Sequence, residues 1–320
     1  MSAAWLESQE QGKRGRSPRA GGMGGVPPGL RMNKRKAKAD FHNHSTASDG
    51  KLTPTQIVDL AYANGVRIFA LTDHDSTEGI AEAKRAADQH PGFFLIPGVE
   101  LSTDIEGDEV HILGYFTYER LTDADLQAEL ARFRAGRFER GRMMTEKLAA
   151  IGKPVSWERV LEIAGEASVG RPHVAQALVE AGHVATIPEA FDLYIGRNGP
   201  AYAEREKMTP IEAIQTLKRY GAPAVFAHPS FTKSFDTVVP QMIEAGLAGM
   251  EVYYRDYSPD LVQSLAAKAR RYGLLPLGGS DYHALNNPGE VEPGDIPLPD
   301  SVAKAFLEKE LPWVPTGALS

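Results

Sequence analysis

The 320-residue chain contains no cysteine, which excludes structural disulfides, thiolate zinc sites, iron–sulfur clusters and cysteine nucleophiles. Any metal must therefore sit on His, Asp or Glu. No run of about 18 apolar residues is present and the N-terminus lacks the apolar core of a secretory signal, so the chain reads as cytoplasmic. Walker and Rossmann glycine patterns are missing, and neither ATP nor NAD is expected. Nor is there a repeat of about 20 to 50 residues that would mark a solenoid.

With 42% hydrophobic and 24% charged residues, the chain can bury the core of one large α/β barrel or of two smaller domains. Its net charge of −7 hides an asymmetry: residues 1–38 carry nine Lys/Arg against Glu7 and Glu10, which leaves −14 on the remainder. An acidic body argues against a duplex-DNA surface, because tight duplex binding relies on many neutralised phosphates. A small anion held in a local basic pocket stays compatible with it.

Residues 1–36 are rich in Gly, Pro, Arg and Ser without periodicity and read as a disordered basic tail. Met23 and Met32 also allow a start further downstream. From Lys38 onward short apolar runs at 38–41, 68–71, 94–99, 111–115, 224–226, 249–252 and 274–277 alternate with helical stretches such as 55–63 and 210–219, the pattern of a parallel α/β fold. Seven strands suggest a barrel. Between strands four and five lies a long interval of helical patterns, at 123–150, 156–164, 172–181 and 188–195. We expect barrel segments at 37–119 and 204–320, with a helical domain inserted at 120–203.

Chance alone gives about 0.25 His-x-His pairs in a chain with nine histidines, so His42-Asn43-His44 is only mildly informative until its context is added. It follows the first strand, where alternate residues point the same way, and Asp49 comes soon after. Strand two runs into Asp73-His74-Asp75, strand three into Glu100, strand five into His228 and the last into Asp281-Tyr282-His283. His111 is the exception, preceding its strand. In barrels of parallel strands the C-terminal strand ends form the active-site face. Singly, His90, His173 or His183 reads as a hydrogen-bonded core or surface residue. As a set, six histidines with Asp49, Glu100 and Asp281 offer more ligands than one ion can use, and nitrogen and oxygen donors suit Zn, Mn, Fe or Co.

Asp40-Phe41-His42-Asn43-His44-Ser45, Leu71-Thr72-Asp73-His74-Asp75, Pro97-Gly98-Val99-Glu100, His111-Ile112-Leu113-Gly114-Tyr115, Ala227-His228-Pro229 and Gly279-Ser280-Asp281-Tyr282-His283 occur in the order found in the PHP family, named for polymerase and histidinol phosphatase, which the chain resembles over residues 39–285. The resemblance implies a distorted (β/α)7 barrel and a trinuclear site of divalent ions, with Mn, Fe and Zn as the candidates. It implies that His42, His44, Glu100 and Asp281 hold one ion. Glu100 would bridge to a second ion held with His111 and His228, and Asp49, His74 and His283 would hold the third. Asp40, Asp73 and Asp75 would orient imidazoles.

The segment Val169-Gly170-Arg171-Pro172-His173-Val174-Ala175, with Arg137 and Arg140 upstream, resembles the subfamily that hydrolyses 3′,5′-bisphosphonucleotides and trims 5′-phosphorylated RNA from the 5′ end. Independently, Leu126, Leu130, Phe133, Met144 and Leu148 form an apolar stripe at helical spacing that positions 137 and 140 interrupt, whereas Arg132 and Arg142 fall on the solvated side. Arginines on an apolar stripe need an anion. Arg171 and His173 lie at a helix start, which also attracts phosphate. Arg137, Arg140, Arg171 and His173 are thus the expected phosphate-binding residues of a metal-dependent phosphoesterase acting on bisphosphonucleotides or short 5′-phosphorylated RNA.

Three alternatives stand beside this reading. A histidinol-phosphate-type phosphatase is the nearest. A C–N hydrolase of the amidohydrolase type would want a lysine ligand at a strand end, and none is found; an inert binding module would have lost ligands, and all nine are present. No membrane association and no obligate protein partner are expected.

Overall fold

The computed structural model describes residues 36–165, 167–204, 208–285 and 289–319. The tail expected over 1–36 lies, apart from Lys36, outside them. Seven strands, β1 (Ala39–Asp40), β2 (Ile68–Leu71), β3 (Phe94–Ile105), β4 (Asp108–Tyr115), β5 (Ala224–Phe226), β6 (Leu247–Tyr254) and β7 (Leu275–Gly279), pair in chain order. Beyond the ends of β1 and β7 the backbone continues the pairing, with Phe41 N donating to Gly278 O (3.3 Å), Asp281 N to His42 O (2.8 Å) and His44 N to Tyr282 O (3.1 Å). These bonds nearly close the barrel. The approach is tight enough to require glycine: a Cβ on Gly279 would lie 2.2 Å from the Cβ of His42.

The sheet departs from the all-parallel pattern at one strand. β4 runs antiparallel to both β3 and β5, and β3 with β4 forms a hairpin paired from Gly98↔Tyr115 to Ile105↔Asp108. Gly107 turns it, at φ +79°. The third strand therefore extends past 94–99 to Ile105, because residues 101–104, whose polar members resemble a loop, find ladder partners on β4. Reversal of β4 also resolves the position of His111. The N-terminal half of an antiparallel strand lies at the rim where its parallel neighbours end.

Helices α1 (Pro54–Ala63) and α2 (Ile80–Ala87) cover β2 and β3 through Ile57, Val58, Ile80 and Ala83. Thr53 and Gln56 close a capping box at the start of α1, with Pro54 in the first turn. Next come α3 (Ala124–Ala150), α4 (Trp157–Ala164), α5 (Arg171–Glu180) and α6 (Ile187–Ala190), the last continued by a π-helical turn, Phe191–Ile195. α7 (Pro210–Arg219), α8 (Phe235–Ala245) and α9 (Pro259–Tyr272) return to the barrel wall, while α10 (Asp300–Glu310) packs Phe306 and Leu307 against Phe41, Ile68, Leu113 and Leu277.

The long α3 belongs to two cores. Leu126 and Leu130 in its first half join the barrel wall, while Met144 and Leu148 in its second half join a separate cluster with Val160, Val174, Leu178 and Ile195. Its middle, where Arg137 and Arg140 lie, thus spans the gap between the cores. Among the described residues no helix is long and apolar enough to cross a membrane.

Candidate functional site

Strand ends deliver the ligand-type side chains. The extended chain after β1 sends His42 and His44 to one side, their Nε2 atoms 3.1 Å apart. Glu100 on β3 places Oε2 3.1 Å from each of them, and Asp281 after β7 places Oδ1 3.3 Å from His42 and 3.1 Å from His44. These four form one cluster with the spacing of a metal site; a second joins His44, Asp49, His74 and His283, and a third His74, Glu100 and His111. His228 reaches the constellation through Glu100 Oε1, 3.1 Å from its Nε2. His44 and His74 each border more groups than the three sets inferred from sequence assign them.

The donor chemistry fits cations. Oε2 of Glu100 is buried without a hydrogen bond, although nitrogens of His42, His44 and His74 stand 3.1 Å away. Such a group is costly unless a positive ion lies among those atoms. Burial opposes charge on Glu100, yet the imidazoles of His74, His42 and His111 hold its carboxyl well below the ordinary carboxylate range. For Asp49, too, burial is outweighed, here by His74 and His283. His228 and Asp281 adopt positive φ, 29° and 48°, as does Asp75 at 52°. Strained backbone at three residues around one cleft is typical of functional sites.

The carboxylates expected to orient imidazoles do other work. Asp40 accepts N–H donors from the Asn43 side chain, Ser280 and Gly294, tying the first strand to the last. Asp73 accepts from Ser45 and Ser48 and shapes the loop that carries Asp49. An imidazole is oriented instead by Glu251 of β6, fully buried, whose oxygens lie 3.2 and 3.3 Å from His42 Nδ1 and which accepts the His228 backbone N–H at 2.7 Å. A lone acid in the apolar run Gly249-Met250-Glu251-Val252 was its only signal in the sequence.

A cleft of about 520 Å³ opens beside these groups, lined by Asp49, His74, His111, Asp281 and His283 together with Arg137, Arg140, Arg171 and Arg255. As the stripe on α3 required, Arg137 and Arg140 are buried, whereas Arg142 pairs with Glu139 and Glu146 on the surface. Arg137 donates from Nε to Asp75 (2.5 Å) and also to Ser102 Oγ. Glu109 of β4 accepts from Arg140 (3.3 Å) and Arg171 (2.8 Å), while Arg140 Nε donates to Ala203 O. Against the cost of burial, Arg171 and Arg140 hold the Glu109 carboxyl below its ordinary range. His173 is buried behind this wall: its Nδ1 accepts the Gly170 N–H at 2.9 Å, capping α5, and burial pushes its imidazole down to about 4. At neutral pH it therefore adds no positive charge. Glu109, Ser102 and Arg255 were not among the residues inferred from sequence.

Comparison with known proteins gives a consistent set of relatives. The PHP domain pattern matches residues 40–161. A "5′-3′ exoribonuclease" of Haemophilus influenzae is 37% identical over 77% of this chain and 90% of its own length. A "3′,5′-nucleoside bisphosphate phosphatase" of Chromobacterium violaceum is 35% identical over 79% of this chain and 89% of its own. Among solved structures, a putative metal-dependent phosphoesterase of Bifidobacterium adolescentis superposes with a TM-score of 0.76 at 30% identity, covering 86% of this chain and 97% of that one.

Proposed function

Because this chain belongs to the PHP domain family and is a metal-dependent phosphoesterase, we propose that it removes the 3′-phosphate of 3′,5′-bisphosphonucleotides and trims short 5′-phosphorylated RNA from its 5′ end. The observation that carries this reading is the wall of arginines facing the ligand cluster across one cleft. A substrate with two phosphates can lay one on each side.

In this reading His42, His44, Glu100 and Asp281 hold one divalent ion. Glu100, His111 and His228 hold a second, and Asp49, His74 and His283 a third, with Mn, Fe or Zn as candidates. Such ions activate water and offset charge on phosphoryl oxygens. Arg137, Arg140 and Arg171 grip the 5′-phosphate from the helical segment 120–203, which acts as a cap on the barrel, and His173 holds the start of α5 so that Arg171 is aimed correctly. Arg171 also lies over the Phe191 ring, at 5.4 Å, and Arg140 over Tyr202, at 5.2 Å, which limits their freedom before a ligand arrives.

Chemistry at the far phosphate forms a bond from the water oxygen to phosphorus and breaks the P–O3′ bond, and O3′ leaves with a proton. From a bisphosphonucleotide the products are a 5′-nucleotide and inorganic phosphate. From RNA the same cleavage leaves a new 5′-phosphate on the shortened strand, ready for the arginine wall in the next round. The reading puts the enzyme in the cytoplasm, where nucleotides are turned over.

Metal analysis with a substrate panel tests it. Bisphosphonucleotide and 5′-phosphorylated RNA should be hydrolysed well, with 5′-hydroxyl RNA and histidinol phosphate poor. Preference for histidinol phosphate would overturn the nucleotide assignment.

A further inference from the structure

Four arginines line the cleft, and three of them spend donors on protein acceptors: Arg137 on Asp75 and Ser102, Arg140 on Glu109 and Ala203, Arg171 on Glu109. The fourth, Arg255, makes no hydrogen bond or ion pair among the described residues and keeps its N–H fork for a ligand. It directly follows β6, and its guanidinium lies over the ring of Tyr254, 5.0 Å from the centroid. The buried Tyr254 in turn donates its hydroxyl to Asp281 Oδ2 at 2.5 Å. One aromatic ring thus joins Arg255 to a member of the ligand cluster.

We infer that Arg255 grips the phosphoryl group that is hydrolysed, as a catalytic residue distinct from the arginines that hold the other phosphate. A planar guanidinium presents two parallel donors to phosphate oxygens, which suits it to charge that builds on them in the transition state. Contact with the Tyr254 ring restrains the guanidinium without using its donors. The inference rests on phosphoester hydrolysis and not on the nucleotide assignment, so the two fail separately.

The test uses the metal-loaded protein with Arg255→Ala and Arg255→Lys. Loss of one charge-assisted pair should lower kcat/KM of Arg255→Ala by roughly 10- to 150-fold, equally on a bisphosphonucleotide and on a nucleoside 3′-phosphate. Added guanidinium ion should restore part of the rate, and Arg255→Lys should keep part of it. Calorimetry should show inorganic phosphate, which has neither base nor sugar, binding Arg255→Ala more weakly by a similar factor while metal content stays at the wild-type level. Unchanged phosphate binding with slower nucleotide turnover would overturn the inference and give Arg255 to the base or sugar. So would a loss of bound metal that accounts for the fall in rate.

Discussion

One wall of the cleft is carboxylates and imidazoles hung from strand ends; the other is arginines hung from helices, and the two meet the cost of buried charge in different ways. Each helical arginine of the second wall already has an acid: Asp75 for Arg137, and Glu109 shared by Arg140 and Arg171. Two carboxylates against three guanidinium groups leave a modest positive surplus and hold the donors in place. In the first wall Glu100 Oε2 is buried without a hydrogen bond, and the nitrogens of His42 and His44 face each other at 3.1 Å. Such an arrangement is completed only from outside, by cations. The arginine wall is thus largely organised before a ligand binds, whereas the strand-end wall depends on what it binds.

That contrast predicts unequal consequences of mutation. His42→Ala or Asp281→Ala should take turnover to background while circular dichroism stays native, because these groups serve the cleft more than the apolar core. If both variants kept most of their activity, the assignment of the strand-end wall would be wrong. Glu251→Gln tests the same wall one layer back. It keeps the shape but weakens the hold on the His42 ring, and metal affinity or activity should fall by about 10- to 100-fold, with added metal recovering part of the loss.

On the arginine wall the effect should be selective. Arg171→Ala should lower kcat/KM roughly 10- to 150-fold on a bisphosphonucleotide and much less on a nucleoside 3′-phosphate, which has no group for that wall to grip. Comparing the two substrates cancels any disturbance of the metals; an equal fall on both would make the wall structural. Arg137→Ala should add a general defect, since it also strips a partner from buried Asp75. The smallest effect is expected outside both walls. Deleting residues 1–35 should leave mononucleotide turnover unchanged, and any effect on RNA should fade as salt rises, because it would be electrostatic.

The strand-end wall was largely readable in advance, since most of its ligand-type residues lie within a few positions of a short apolar run. Strands 68–71 and 224–226 occur where the apolar pattern puts them, as do the helices at 210–219 and 123–150 to within a residue. The hairpin was not readable. Ser102 and Asp104 look like loop residues until β4 is laid antiparallel beside them, and no local pattern announces the direction of a strand. Reversal of that one strand brings His111 to the active rim and Glu109, two residues earlier, to Arg140 and Arg171. Glu251 and Ser102 were hidden for a related reason: each lies in a strand and gains its meaning from a partner more than 20 residues away; Arg255 gains its own only from the cleft that it lines.

By itself the sequence determined which residue types are present at the strand ends, and the lack of cysteine removed thiolate from the ligand chemistry available. It determined as well that two arginines interrupt an apolar helical stripe, because helical periodicity is a local property of the chain. Which charges neutralise one another was decided only by the tertiary structure. Coulomb interactions and hydrogen bonds depend on distances of a few ångströms between groups far apart along the chain, such as His42 and Glu251, and those distances exist only once the barrel has closed.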